Sequence, residues 1–242
     1  MKYEEKAYDE LLDWQRKLRR RGNKFGRLSK NVQNKMNGMI PEKVHKALTE
    51  AIKGMVQTVL TGSNLVFKNN FPQMFTLEEK ETKIREQLDI YRKTATVEGA
   101  GTGAGGLLLG LADFPLLLSI KLKFLYDVGR IYQYDLKNYE ERIFLLMVFQ
   151  LAFSSDEKRI ETLNIIENWD EEKKRFVDLD WQTFQQEYRD YIDLVKMLQL
   201  VPGIGAVVGA YANYKLLDRL GETAIYAYRM RYFNQLNNLN AY

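Results

Sequence analysis

The polar residues that could do chemistry in this chain of 242 residues lie beside two apolar, glycine-rich stretches. Carboxylates and guanidinium groups in such surroundings can hold a cation, act on a polar headgroup or bind phosphate. The alternative is a set of ion pairs that fixes the register of packed helices. Asp218 and Glu222 are four residues apart, so they share one helix face, and several of the residues could project into one interior. The candidate polar site comprises Asp113, Asp127, Asn213, Asp218, Arg219, Glu222 and Arg229.

Other catalytic residue types are scarce. His45 is the only histidine and there is no cysteine, which excludes an HExxH zinc site, a multi-histidine metal centre and a thiolate nucleophile. A Ser-His-Asp triad would depend on His45, which lies between Val44 and Lys46 on a basic amphipathic segment typical of a surface. The patterns GxSxG and GxxxxGK followed by Ser or Thr do not occur. We therefore assign no catalytic residue and no metal ligand, and the sequence leaves open whether the protein is an enzyme.

Residues 101–106, GTGAGG, match the dinucleotide-binding pattern GxGxxG. In that motif the glycines lie at a turn from a strand into a helix, where a pyrophosphate approaches the helix N-terminus. Residues 91–98 make a poor strand, and no alternation of strands and helices surrounds them. We predict a helix start or a close-packed turn here and no cofactor.

The two glycine-rich segments are residues 99–119 (GAGTGAGGLLLGLADFPLLLS) and 200–214 (LVPGIGAVVGAYANY). Glycines four apart flatten one helix face, so two such helices can approach closely. The first segment nearly reaches the roughly 20 residues of a transmembrane span, but Asp113 inside it would cost about 2.5 to 3.5 kcal/mol. A span, a hairpin that dips into the membrane and a buried helix pair are the three alternatives. We favour the buried pair, which predicts that Leu107 and Val207 lie close together.

Apolar residues recur at helical spacing over most of the chain, and hairpin turns are scarce, which predicts an all-α fold. Capping-box patterns at Thr76–Glu79 and Asn138–Glu141 predict two helix starts. Residues 22–38, rich in Lys, Asn and Gly, are either a basic loop or a weak helix. We predict one multi-helix domain over residues 1–242 with two central glycine-rich helices. Its four segments are a basic N-terminal region (1–70), the first glycine-rich block (76–135), acidic amphipathic helices (138–200) and the second glycine-rich block with the C-terminal helix (201–237).

The charges are distributed unevenly. Residues 16–53 contain twelve Lys and Arg residues against Glu42 and Glu50, whereas residues 137–193 contain fourteen acidic and eight basic residues. A basic face attracts phosphates, and each Lys or Arg near an acidic bilayer contributes roughly 1 kcal/mol. Stacking of bases needs aromatic residues among the basic ones, and these are scarce here. We therefore predict an anionic membrane surface as partner and no nucleic acid, with a solvated helix face as the alternative. The predicted lipid-phosphate contacts are Arg16, Lys17, Arg19, Arg20, Arg21, Lys24 and Arg27.

Residues 101–135 (GTGAGGLLLGLADFPLLLSIKLKFLYDVGRIYQYD) and 201–232 (VPGIGAVVGAYANYKLLDRLGETAIYAYRMRY) together resemble the EcsC family, named for the third protein encoded with a bacterial ABC transporter. One departure is Gln133, where the resemblance leads us to expect a glycine between two tyrosines. The resemblance implies association with membranes and with ABC transporter components, and it supplies no catalytic residues.

No apolar run follows the first charged residues, and the lack of cysteine fits a reducing compartment. We expect a cytoplasmic protein at the inner face of the cell membrane. The predicted function is that of a non-catalytic accessory protein of the membrane surface or of an ABC transporter. The alternative is an enzyme or carrier for a lipid-like ligand, with an interior site around Asp113, Asp218 and Glu222. The oligomeric state does not follow from the sequence.

Overall fold

The computed structural model contains eight helices and no strand within the residues that it describes, which confirms the prediction of an all-α fold. The described backbone comprises residues 2–37, 42–62, 76–103, 114–154, 156–177 and 206–240. Side chains are described for residues 2–20, 46, 49–62, 76–94, 115–154, 158–176 and 214–238. The helices are α1 (Tyr3–Asn37), α2 (Glu42–Thr61), α3 (Leu77–Gly103), α4 (Phe114–Ile131), α5 (Tyr139–Phe153), α6 (Asp156–Glu167), α7 (Trp169–Val177) and α8 (Ala206–Asn240).

Helices α3 and α8 form the central pair and run antiparallel. Arg92 contacts Asp218 towards one end of the pair, and Glu81 contacts Arg229 towards the other. Residue numbers therefore rise along α3 as they fall along α8. The C-terminal end of α3 and the N-terminal end of α8, each of which carries a glycine-rich sequence, lie at the same end of the bundle.

Helix α1 packs against α8 and is also antiparallel to it. The Tyr8 and Phe233 rings meet edge to face with centroids 5.1 Å apart, and Trp14 stacks on Tyr226 at 4.8 Å. Since a helix advances 1.5 Å per residue, the second half of α1 is directed towards the N-terminal end of α8. Residues 22–37 continue this helix, so the loop interpretation of that segment is wrong.

Helices α1, α3 and α5 begin at one end of the bundle, and each carries acidic residues in its first turn, where they interact favourably with the helix dipole. Helices α4 and α8 begin at the other end without acidic residues in their first turns, whereas α2 begins there with Glu42 and α6 with Asp156 and Glu157. We call the first end the acidic pole. We call the second, which contains residues 99–103 and 206–209, the glycine-rich pole.

Helix α5 provides the most continuous part of the core, because every residue from Ile143 to Phe153 is buried. A helix that is apolar on all sides has to be enclosed by other elements, and α5 is in contact with α2, α6, α7 and α8. Its one buried amide, Gln150, donates a hydrogen bond to the Thr162 hydroxyl of α6 (3.0 Å). The polar group inside this helix is therefore satisfied.

The two capping-box patterns have different outcomes. The Thr76 N–H donates to Glu79 Oε2 (2.8 Å) and the Thr76 hydroxyl accepts from the Glu79 N–H (3.3 Å), which completes the box before α3. Asn138 also precedes a helix, as predicted, but its side chain makes no capping hydrogen bond. Glu141 instead forms an ion pair with Arg231 of α8.

Gln133 has a φ of 72°, in the left-handed region that favours glycine. Its N–H donates to the Arg130 carbonyl (2.9 Å), and the Tyr134 N–H donates to the Gly129 carbonyl (3.0 Å). These two bonds form a Schellman motif at the end of α4 with Gln133 as its left-handed residue. The backbone thus explains why a glycine is expected at this position.

Several predictions fall on residues outside the described ranges. These include the contact of Leu107 with Val207, the position of Asp113 and most of the apolar stripe between residues 177 and 198. The boundaries of the four sequence segments also stay predictions. Within the part of the chain that the structure describes, no helix combines the length and apolar composition of a membrane span.

Candidate functional site

Arg229 of α8 is the centre of a buried ion cluster near the acidic pole. Its Nε and Nη2 atoms donate to the two carboxylate oxygens of Glu81 at 2.5 and 2.6 Å, a bidentate arrangement. Its Nη1 atom donates to Glu10 Oε2 (2.9 Å) and to the Ala7 carbonyl (3.2 Å). Burial lowers the pKa of Arg229, but the hydrogen bonds and charges of Glu81 and Glu10 outweigh it and raise the pKa overall. The guanidinium group therefore stays charged.

Glu81 receives two further hydrogen bonds in the same cluster. The Tyr3 hydroxyl donates to Glu81 Oε2 (2.7 Å), and Arg85 Nη2 donates to the same oxygen (3.1 Å). Burial raises the pKa of Tyr3, so this hydroxyl stays a donor at neutral pH. Two arginines and the carboxylates of Glu81 and Glu10 balance in charge and connect α1, α3 and α8. This cluster has the character of an ion pair that fixes helix register.

Asp218 forms a separate pair at the boundary between α3 and α8. Arg92 Nη2 donates to Asp218, while Arg92 Nη1 donates to Asp89 Oδ1 at 2.8 Å. The Arg92 guanidinium also lies over the Tyr214 ring, 4.7 Å from its centroid. Asp218 thus contributes to a partly exposed contact between helices.

Asp127 connects α4 to α3. The Tyr91 hydroxyl donates to Asp127 Oδ2 (2.8 Å), and Arg130 Nη1 lies 3.7 Å from Asp127 Oδ1. Burial raises the pKa of Asp127, although Tyr91 and Arg130 act in the opposite direction. Burial also raises the pKa of Tyr91, and the negative charge of Asp127 raises it further.

The candidate polar residues do not form one cluster in the described part of the chain. Asp218 and Arg229 are eleven residues apart, which places them about 16 Å apart along α8. Glu222 is exposed, and Arg219 is half-buried on the same helix. The side chain of Asn213 and the whole of Asp113 lie outside the description. Among the described residues, no group of three or more His, Asp or Glu side chains could hold a metal ion.

The predicted lipid-phosphate contacts divide into two groups. Arg19 is bound within the fold, since its Nη2 donates to Glu167 Oε2 (2.5 Å) and its Nη1 to Asn164 Oδ1 (3.0 Å) on α6. The side chains of Lys17 and Arg20 are exposed. Arg16 is also exposed and pairs locally with Asp13. Arg21, Lys24 and Arg27 lie on α1 with undescribed side chains.

Sequence reasoning missed a second buried pair and a buried lysine. Arg231 donates to both carboxylate oxygens of Glu141 (2.5 and 2.8 Å) and lies 3.7 Å from the Tyr134 ring centroid. Lys121 of α4 is 2% exposed, and Nζ has a hydrogen bond with the Leu117 carbonyl (3.3 Å) and with no other described residue. Burial lowers the pKa of Lys121 to about 8. The burial of these charged residues could not be predicted from the sequence, because an apolar stripe does not reveal which neighbouring polar side chain faces the core.

A groove of about 270 Å³ lies between α1, α6 and α8 near the acidic pole. Buried apolar side chains contribute to its lining, and Tyr8 and Leu12 are partly exposed beside it. On α1, exposed carboxylates recur every four residues at Glu5, Asp9 and Asp13. The groove lining comprises Tyr8, Leu11, Leu12, Gln15, Glu167, Met230, Phe233, Asn234 and Asn237.

These features define a class of all-α protein whose helices are joined by buried ion pairs near one pole and carry glycine-rich sequence at the other. The chain belongs to the EcsC protein family, whose family model matches residues 5–233. It is 51% identical over 222 residues to Protein EcsC of Bacillus subtilis (strain 168), covering 92% of this chain and 93% of that protein. It is 30% identical over 232 residues to the Uncharacterized protein YdbA of the same organism, covering 86% of this chain and 84% of the relative. No solved structure matches the chain.

Proposed function

We propose that this EcsC-family protein is a peripheral accessory protein of the anionic, cytoplasmic face of the cell membrane. The observation that carries the proposal is the direction of α1. Its basic run begins at Arg16 and points away from the acidic pole, towards the end of the bundle where α3 ends and α8 begins. This direction supports the proposal, because the basic run would then extend towards an end of the bundle that can face an acidic surface.

The expected electrostatic free energy is large enough for reversible binding to an anionic membrane. Each Lys or Arg near an anionic leaflet contributes roughly 1 kcal/mol, and the attraction falls off over a Debye length of about 8 Å in physiological salt. A few residues such as Lys17 and Arg20 would therefore give reversible, salt-sensitive association. ABC transporter components stay the proposed protein partners, as the family resemblance implies.

Sedimentation with vesicles tests the proposal directly. We expect the full chain to sediment with vesicles of phosphatidylserine and phosphatidylcholine, to stay in the supernatant with phosphatidylcholine alone, and to bind much less in about 1 M salt, where the Debye length is about 3 Å. Equal binding to both kinds of vesicle, or no binding to either, would contradict the proposal.

A pair of matched double variants tests where the charge acts. Lys17→Gln with Arg20→Gln removes two exposed charges from the basic run, and we expect the partition coefficient to fall by up to about 30-fold, the equivalent of about 2 kcal/mol. Lys6→Gln with Lys174→Gln removes two exposed charges near the acidic pole and serves as the control. A similar loss in both variants would indicate that net charge alone governs binding.

A further inference from the structure

The groove between α1, α6 and α8 has an apolar floor and an apolar strip along one wall. Leu11, Met230 and Phe233 in its lining are buried, whereas Tyr8 and Leu12 are 41% and 37% exposed. Because Tyr8 and Leu12 are four residues apart on α1, they are neighbours on one helix face. The groove therefore combines a buried apolar base with apolar side chains that water still reaches.

Two exposed carboxylates adjoin this strip on α1. Glu5 precedes Tyr8 by three residues and Asp9 precedes Leu12 by three, so each carboxylate neighbours an exposed apolar side chain. Residues 2–15 contain five carboxylates and two lysines. The wall of the groove on α1 is therefore negatively charged.

The two arginines that come next along α1 are already paired with carboxylates. Arg16 pairs with Asp13, and Arg19 pairs with Glu167, the charged residue of the groove lining. The opposite wall belongs to α8, where residues 232–240 contain no charged side chain. The apolar surface thus lies beside a net negative charge that these arginines do not cancel.

The dimensions of the groove suit a short piece of helix. Its lining comprises residues 8–15 of α1 and 230–237 of α8, which at 1.5 Å per residue corresponds to about 10 Å, or two helical turns. Its volume is about 270 Å³. Since a cavity of about 150 Å³ can hold a benzene molecule, the groove can accept two large apolar side chains.

We propose that this groove is a docking site for a basic amphipathic helix of another protein. Two apolar side chains of the partner, one helical turn apart, enter the groove, as in other complexes in which a helix lies in a groove. Lysine or arginine side chains on the flank of the partner helix contact Glu5 and Asp9. The inference goes beyond the proposed function and does not depend on membrane binding.

The same charges argue against other occupants. A second copy packed groove to groove would bring Glu5 and Asp9 near like charges, which is unfavourable at an interface. An anionic bilayer would repel both carboxylates. The walls of the groove are helices, which offer no strand edge to an extended peptide.

The first experiment uses two synthetic amphipathic peptides of about 14 residues, or four helical turns, that differ only in charge. Both carry leucines one turn apart, and the polar positions are lysine in one peptide and glutamate in the other. We expect fluorescence anisotropy to show that the full chain binds the lysine peptide at least about tenfold more tightly, and that added salt weakens this binding. Equal affinity for the two peptides would overturn the proposal.

A second set of measurements tests the apolar strip. We expect Tyr8→Ser with Leu12→Ser to weaken binding of the lysine peptide at least about tenfold, because the partner's leucines lose their apolar contacts. Ile90→Ser with Leu116→Ser alters two exposed apolar residues that do not line the groove, and it should bind within about twofold of the unaltered chain. Circular dichroism establishes that both variants are folded.

A matched pair of charge variants tests the carboxylates. Glu5→Gln with Asp9→Asn should weaken binding of the lysine peptide by about 3- to 10-fold and reduce its salt dependence. Glu78→Gln with Glu86→Gln also neutralises one first-turn and one later exposed carboxylate, but on α3, and should have little effect. An equal loss in both variants would mean that the peptide responds only to net charge, and the site would be wrong.

A fluorescent label locates the bound peptide without relying on those variants. The chain has no cysteine, so Leu12→Cys or Ile90→Cys provides a single site for an environment-sensitive fluorophore. We expect the lysine peptide to change the emission of the label at position 12 and to leave that at position 90 unaltered. The opposite pattern would overturn the proposal.

Two further outcomes would assign the groove to another occupant and so reject the proposal. If the full chain elutes as a dimer in size-exclusion chromatography and Tyr8→Ser with Leu12→Ser makes it a monomer, a second copy covers the groove. If this variant instead loses binding to phosphatidylserine-containing vesicles, the groove is a lipid contact. Vesicle binding by the unaltered chain is measured separately, so its absence would reject the proposed function and leave this inference standing.

Discussion

Arg229 and Lys121 are both buried cations, but the structure surrounds them differently. Arg229, near the acidic pole, is held by Glu81, Glu10 and the Ala7 carbonyl. Lys121, in the part of α4 that leads to the glycine-rich pole, has a hydrogen bond with only a backbone carbonyl among the described residues. Burying a charge without a counter-charge is unfavourable. Among the described residues, the two cations thus differ in whether a carboxylate compensates their burial, and the two sites are expected to contribute to stability with opposite sign.

Removing Arg229 should have the largest effect. Arg229→Met keeps an unbranched apolar stem but leaves the Glu81 carboxylate buried without its bidentate partner, and we expect the free energy of unfolding to fall by about 3 to 5 kcal/mol. Urea denaturation followed by circular dichroism measures this. Arg85→Gln removes the partly exposed partner of the same carboxylate and should lose about 1 kcal/mol or less. If the two variants were equally stable, Arg229 would not be the anchor of this pole.

Replacing Lys121 should have an effect of opposite sign. Lysine in an unfolded chain titrates near 10.4, and a folded-state pKa of about 8 corresponds to a penalty of about 3 kcal/mol below pH 8. As the pH rises from 8 to 10.4, the folded state loses its proton first and the free energy of unfolding increases. We expect Lys121→Met to be more stable at pH 7 and to lack this rise. Measurements of unfolding at pH 7, 8, 9 and 10 test it, and a less stable variant would mean that Lys121 has a counter-charge.

Gly221 tests the packing of α3 on α8 between the two poles. A Cβ atom at this position would lie 2.6 Å from Leu88 Cδ2 and 3.0 Å from Leu88 Cδ1. We expect Gly221→Ala to destabilise the protein by about 1 to 3 kcal/mol, because the buried Leu88 side chain would have to shift in a packed core. At Gly54 of α2 no atom lies within 4 Å of an added Cβ, so Gly54→Ala should stabilise by about 0.5 to 1 kcal/mol through helix propensity. Thermal unfolding of both variants measures whether the first is destabilised and the second stabilised.

The sequence predicted the regular features of the fold and missed the long-range pairings. Helical periodicity and the Thr76–Glu79 box are local, so the all-α class and the start of α3 could be inferred from neighbouring residues. The partners of Arg229 lie 148 and 219 residues away along the chain, and no local pattern identifies them. For the same reason the second box failed in detail, because Glu141 has a stronger partner in Arg231 than the end of its own helix.

The candidate site was predictable only in part. The predicted segregation of basic and acidic residues stays a prediction, because the side chains of most of the basic run lie outside the described residues. Charge asymmetry did not separate surface cations from structural ones. Arg19 and Arg20 are neighbours in the sequence, yet Arg19 binds Glu167 and Arg20 is exposed. The geometry of α1 alone does not determine which of these two arginines is exposed, because that depends on where α6 packs against α1.

Replacing Gln133, at the acidic end of α4, should have the smallest effect on stability. Its backbone conformation shows that the acidic pole also contains strain. Its φ of 72° lets Tyr132 and Tyr134 on either side both turn inward, where Tyr132 stacks on Tyr228 with centroids 4.9 Å apart. Glycine adopts this conformation without the penalty of a side chain, so we expect Gln133→Gly to stabilise by about 1 kcal/mol. Gln133→Ala keeps the backbone penalty and removes the amide, so a gain as large in that variant would assign the effect to the lost side chain. Thermal unfolding distinguishes these cases, and a gain confined to glycine would mean that this turn is constrained by the two tyrosines it orients.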